Sequence, residues 1–131
     1  MSFNIIDFNN VIFKKRIPHN EIPEFLCALD VFVLPTLVEG CSNAIIEAMA
    51  SGLPIISSNY SFNDDILDES MSFVIDPLDV SNIREKILKL KDNQELRIEM
   101  AKGSRTRSAK FNIYGRVDRI INFMQRNIGK F

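Results

Sequence analysis

Short apolar runs alternate with stretches of helical periodicity along this chain. Val11-Ile12-Phe13 is a β-branched and aromatic run that predicts a first strand. Ile22, Phe25, Leu26 and Leu29 recur at helical spacing and predict a helix over 21–29. Val31 to Leu34 is continuously apolar, as a parallel strand covered on both faces should be. A helix over 42–51 follows, closed by Gly52 in the helix-stop position. Leu53 to Ser57 and Ser72 to Ile75 are the next strands, with a short helical turn at 63–67 between them. Asp76-Pro77-Leu78-Asp79 turns the chain into a helix over 80–90 with Ile83, Ile87, Leu88 and Leu90 on its apolar face. Asn93 or Asp92 caps a further helix carrying Leu96, Ile98, Met100 and Ala101 towards Ser108. A last helix starts near Ile113 and runs through Val117, Ile120, Ile121 and Met124. Strands alternating with helices predict one α/β domain with a parallel sheet and right-handed crossovers.

Composition narrows this only slightly. At 131 residues, 46% apolar and 25% charged, the chain has the size and balance of a globular domain with its own core. No apolar run approaches twenty residues and no signal peptide precedes the first strand, so neither a membrane span nor secretion is expected. Cys27 and Cys41 are expected to be free thiols, which makes a reducing, cytoplasmic setting the default. Charge is unevenly placed. From Lys102 onward eight basic residues face Asp118 alone, a net of +7, so the first 101 residues carry −8. That asymmetry fits contact with an anionic surface or simply a solvated helical face.

The chemistry concentrates in Glu39-Gly40-Cys41-Ser42-Asn43-Ala44-Ile45-Ile46-Glu47. Ligands of open α/β sheets sit beyond the carboxyl ends of the strands, and this loop leaves the Val31–Leu34 strand there. Gly40 allows close backbone approach, and Ser42 and Asn43 open the helix. Together they present backbone N–H groups and a helix dipole to a diphosphate. The two glutamates, eight positions apart across a strand-to-helix turn, sharpen the reading. Glu47 lies about one turn into the helix, where a carboxylate accepts hydrogen bonds from both hydroxyls of a ribose. The bland alternative is a solvent-exposed Glu39 and a Glu47 favoured near a helix N-terminus by the macrodipole.

This E-x7-E motif, between Asp30-Val31-Phe32-Val33-Leu34-Pro35 and Ala48-Met49-Ala50-Ser51-Gly52-Leu53-Pro54-Ile55-Ile56-Ser57, resembles the donor-binding signature of retaining GT-B glycosyltransferases of the group 1, or GT4-like, family. Val11–Phe13 with Ile22-Pro23-Glu24-Phe25, and Ile66-Leu67 through Phe73-Val74-Ile75-Asp76-Pro77, extend the resemblance more weakly over most of the chain. Two positions depart from it: Lys15, and Ser70-Met71-Ser72, stand where the family usually has glycine. The resemblance implies a Rossmann-like parallel sheet with flanking helices, part of a GT-B C-terminal domain, with residues 1–131 forming a single truncated nucleotide-sugar-binding domain. It implies a retaining hexosyltransferase that uses a UDP-, GDP- or ADP-sugar, needs no cofactor, and serves bacterial polysaccharide or glycoconjugate assembly. Glu39 would contact the transferred sugar and be the catalytic residue. Glu39, Gly40, Cys41, Ser42, Asn43, Ala44 and Glu47 would form the substrate-binding set.

The resemblance also implies that the N-terminal acceptor domain, and the arginine and lysine that neutralise the diphosphate, lie outside this chain. The isolated chain is therefore expected to lack turnover on its glycan or lipid-linked acceptor. With a family strand order of 3-2-1-4-5-6, it would supply strands 3 to 6. The Val11–Phe13 strand must then pair directly with Val31–Leu34, stay at an edge, or recruit another chain. A shortened, four-stranded, self-associating sheet is the expectation.

Other residues carry less. Lys14-Lys15-Arg16 reads as a solvated charge run and His19, with no partner base in sequence, as a surface residue. Nothing marks Cys41 as a low-pKa nucleophile. No D-x-D motif or His/Cys ligand cluster is present, and Asp64-Asp65 is a poor candidate for metal. Phe62, Phe73, Phe111 and Phe123 read as core or interface positions. The acidic balance and the lack of an aromatic platform in the basic stretch exclude nucleic-acid binding. The basic last helix has an apolar stripe compatible with peripheral contact at the inner membrane surface, or with packing on the sheet or the absent domain. Two rival functions stay open: a binding module without catalysis, and an interaction domain without ligand.

Overall fold

The computed structural model describes residues 10–39 and 42–128. Three strands, β1 (Phe32–Leu34), β2 (Ile55–Ser58) and β3 (Ser72–Ile75), form a parallel sheet in the order β1-β2-β3. Phe32 pairs with Ile55, and Ile55 in turn with Ser72. Among the described residues there are five helices: α1 (Ile22–Cys27), α2 (Asn43–Ala50), α3 (Val80–Lys91), α4 (Gln94–Ser108) and α5 (Ile113–Asn127). This is the parallel α/β arrangement that the alternating pattern predicts, because parallel neighbours require a crossover between them, and it fits the Rossmann-like sheet that the resemblance implies.

The expected fourth strand does not form. Val11, Ile12 and Phe13 are 64%, 87% and 75% exposed and adopt no strand. A strand exists only through a ladder, and three apolar residues next to Lys14-Lys15-Arg16 supply too little burial to hold one against the edge of β1. The helix expected over 21–29 is also shorter, preceded by a 3-10 turn at His19–Glu21, with Pro23 in its first turn. β2 begins at Ile55 rather than Leu53 and takes in Ser58. The turn expected at 63–67 opens earlier, as a 3-10 turn at Ser61–Asn63.

Alternation along the strands divides the core into two. On one face Ile55 packs with Leu26 of α1, with Ile45, Ala48 and Met49 of α2, and with Leu53, Ile66, Leu67 and Met71. On the other, Ile56 and Ile75 meet Leu90 of α3 and Met100 of α4, with Val31, Val33, Phe73, Ile83 and Leu96 around them. Each wholly buried Ile, Leu or Met contributes about 1.5–3 kcal/mol. α4 braces the amino-terminal approaches to the strands: Ser104 Oγ donates to the Leu53 carbonyl at 2.5 Å, and Arg107 reaches the carbonyls of Asp65 and Ile66. The carboxyl ends of the strands are left to loops. Phe73 and Phe111 pack against the two cores as expected, whereas Phe123 on α5 is 64% exposed. Among the described residues, no helix is long and apolar enough to cross a membrane.

Candidate functional site

The chain leaves β1 through Pro35, whose fixed φ suits the tight turn closed by the Thr36 N–H on the Leu34 carbonyl at 3.1 Å. Leu37 and Val38 then run out exposed, and Glu39 is half-buried. Gly40 and Cys41 lie outside the described residues. At the far end of the loop Ser42 caps α2: its backbone is extended (φ −74, ψ 103) and its hydroxyl accepts the Ile45 N–H at 3.3 Å. Ser42 is almost wholly buried, so its side chain shapes the helix start.

Asn43 and Ala44 occupy the exposed first turn of α2. With Ile45 capped by Ser42, the Asn43 and Ala44 N–H groups have no acceptor within the helix, and they coincide with the positive end of its dipole. Glu47 stands one turn further on, on the same side as Asn43, and is half-buried. Ile45, Ala48 and Met49 on the opposite side are fully buried and hold the helix against the sheet. Among the described residues, neither Glu39 nor Glu47 has an ion-pair or hydrogen-bond partner for its carboxylate. Two partly desolvated, unpartnered carboxylates therefore flank a helix start suited to an anion.

Two shallow cavities lie among the described residues. A shallow cavity of about 190 Å³ runs beside β3 and is lined by Asn63, Asp64, Asp68 and Val74 among others. A second, of about 360 Å³, lies between the 14–18 segment and α1, with Lys14 over the ring of Phe25 at 5.7 Å. Neither of these two cavities is lined by Glu39 or Glu47. His19 is exposed, as is the free thiol of Cys27.

Beneath the motif loop lies a polar network that the sequence reading overlooked. Ser57 Oγ donates to the Leu34 carbonyl at 2.8 Å, and Ser58 Oγ donates to the Thr36 carbonyl. Asn63 Nδ2 donates to Ser57 Oγ at 3.2 Å and to the Ser58 carbonyl at 2.7 Å. The available signal was two serines closing an otherwise apolar strand, Ile55-Ile56-Ser57-Ser58.

The family model for glycosyl transferases group 1 matches residues 8–107, most of the chain and the whole of the motif region. The chain belongs to the group 1 glycosyl transferases. Within this group it is 41% identical over 103 residues to an Escherichia coli UDP-Gal:alpha-D-GlcNAc-diphosphoundecaprenol alpha-1,3-galactosyltransferase, a match covering 77% of this chain and 26% of that protein. It is 33% identical over 88 residues to the O-antigen chain mannosyltransferase B of Escherichia coli, covering 66% of this chain and 23% of the relative. It is 32% identical over 112 residues to the capsular polysaccharide biosynthesis glycosyltransferase CapM of Staphylococcus aureus, covering 79% and 30%. The group 1 chain described here thus spans about a quarter of the length of these relatives. No solved structure matches it.

Proposed function

We propose that this chain is the donor-binding part of a retaining hexosyltransferase. It would act on a nucleoside-diphosphate sugar and serve the assembly of a bacterial polysaccharide. The observation that carries the reading is the pair of unpartnered, half-buried carboxylates, Glu39 and Glu47, on either side of the capped start of α2. In this reading the Gly40–Ala44 backbone and the α2 dipole hold the diphosphate, Glu47 accepts from the ribose hydroxyls, and Glu39 contacts the sugar being transferred. The acceptor hydroxyl oxygen bonds to the anomeric carbon on the face from which the diphosphate oxygen departs with the bonding electrons, and that departing oxygen takes up the hydroxyl proton. Helix dipole and basic side chains stabilise that leaving group, and no metal is required. The relative that uses UDP-Gal and a diphosphoundecaprenol-linked acceptor supports a uridine donor, ahead of guanosine or adenosine, and a glycan or lipid-linked acceptor. An N-terminal domain would supply the acceptor site, so the chain by itself binds donor without turnover, at the cytoplasmic face where nucleotide sugars are made.

Titrating UDP, GDP and ADP into the chain while recording amide spectra tests the reading. Saturable shifts confined to the 39–47 segment with one nucleotide are the expected result. Glu47→Gln keeps the fold and weakens that nucleotide by roughly ten-fold or more, the scale of a lost charge-assisted hydrogen-bond pair. A well-dispersed spectrum indifferent to all three nucleotides would overturn the reading.

A further inference from the structure

Adjacent residues of a strand point to opposite faces, yet Ser57 and Ser58 both turn back to one neighbouring segment, the chain leaving β1. Ser57 holds the Leu34 carbonyl from one face and Ser58 holds the Thr36 carbonyl from the other. Asn63, 2% exposed, locks the arrangement. Because Ser57 Oγ accepts from Asn63 Nδ2, its single proton is directed to Leu34, and the second Asn63 donor fixes the Ser58 carbonyl. Both serines are wholly buried, where apolar side chains would fill the strand at lower desolvation cost. Polar residues at these positions require another reason, and the geometry supplies one. Thr36 lies three residues before Glu39, and between them Leu37 and Val38 are exposed and pack on little. Among the described residues, the Ser58–Thr36 hydrogen bond is thus the last one before the carboxylate. The Thr36 hydroxyl and Asn63 Oδ1 are buried and without partners among the described residues, so this corner has not closed on itself as a purely structural network would.

We propose that Ser58 and Asn63 are positioning residues that hold the 36–39 segment so that Glu39 meets the donor sugar. The proposal rests on the reading of Glu39 as the sugar contact. Its distinguishing consequence is selectivity within one ligand: loosening the segment weakens recognition of the sugar and leaves the nucleotide, held by α2, as before.

Backbone ¹⁵N relaxation and titrations with UDP-galactose and UDP on wild type, Ser58→Ala and Ser58→Thr test it. In S58A the order parameters at 37–39 fall below about 0.6 while β2 and α2 stay near about 0.85. Its Kd for UDP-galactose rises roughly ten-fold towards that of UDP, whose own Kd moves by less than about two-fold. S58T, which keeps the hydroxyl, restores both. Should S58A fail to fold, Ser58→Cys, with nearly the same volume and a weak donor, is read by the same criteria. Unchanged order parameters at 37–39 in a folded S58A or S58C overturn the proposal, as does equal loss of UDP and UDP-galactose. If wild type binds neither ligand, the donor-binding reading fails, and the relaxation data alone still decide the tether.

Discussion

Gly103 shows how a single position reverses an ordinary rule. It lies inside α4, where alanine normally stabilises by about 1 kcal/mol. A Cβ there would stand 2.3 Å from the backbone oxygen of Ser70, which cannot step aside as a flexible side chain can. Gly103→Ala is therefore expected to lower stability by about 1–2 kcal/mol net in urea unfolding, because displacing α4 outweighs the helical gain. Asp68, in the same corner, gives a pH prediction. Its carboxylate accepts the Ser70 hydroxyl at 2.5 Å and the Ser70 N–H at 2.9 Å, with Arg107 at 3.6 Å. The Ser70 hydroxyl is the leading cause that holds its pKa below the ordinary 3.8, against a smaller opposing desolvation. The unfolded chain binds this proton more tightly than the folded one. The stabilisation is thus complete above pH 3.8 and is lost as pH falls through the lower folded value. A carboxyl carbon titration should show Asp68 below 3.8 and moving up towards it in Ser70→Ala.

Among the elements, α2 decides the most, because its start is both a stability element and the candidate site. Ser42→Ala removes the cap on the Ile45 N–H and should cost about 1 kcal/mol by denaturant unfolding, whereas Ser42→Gly should cost only a few tenths. The helix was legible in the sequence because local signals agreed: a serine cap, an apolar stripe of Ile45, Ala48 and Met49, and Gly52 with φ +76 as the stop. α3 and α4 were legible for the same reason, with Asp79 and Asn93 accepting from Asn82 and Leu96 as caps. Strand β2 and the Ser57–Ser58–Asn63 network were less so. Which carbonyl a serine reaches depends on the register Leu34–Ser57, and register is a relation between strands that neither strand carries alone. Of the candidate site, Glu39, Gly40, Cys41, Ser42, Asn43, Ala44 and Glu47 are named by spacing and resemblance, while Ser58 and Asn63 beneath the loop are not.

The whole molecule leaves apolar surface uncovered. Val117, Ile120, Ile121, Phe123, Met124 and Ile128 of the α5 region are between 45% and 78% exposed. Among the described residues β1, whose apolar sequence suits a strand with neighbours on both sides, pairs only with β2. Such surface predicts association. Sedimentation velocity should give a weight-average coefficient that rises with concentration, and Ile120→Lys with Met124→Lys should lower it at unchanged helical content. A coefficient independent of concentration would mean that the exposed stripe is inert. The sequence by itself determined the α/β class, the order of the helices and the motif residues, because each is written in local periodicity, caps or spacing within one segment, while the family rests on likeness along most of the chain. Only the tertiary structure decided that Val11–Phe13 stays out of the sheet, that a Cβ at Gly103 meets the Ser70 backbone, and that two serines and an asparagine grip the Glu39 loop. Those outcomes depend on distances between segments far apart in the chain, which packing sets and local pattern does not contain.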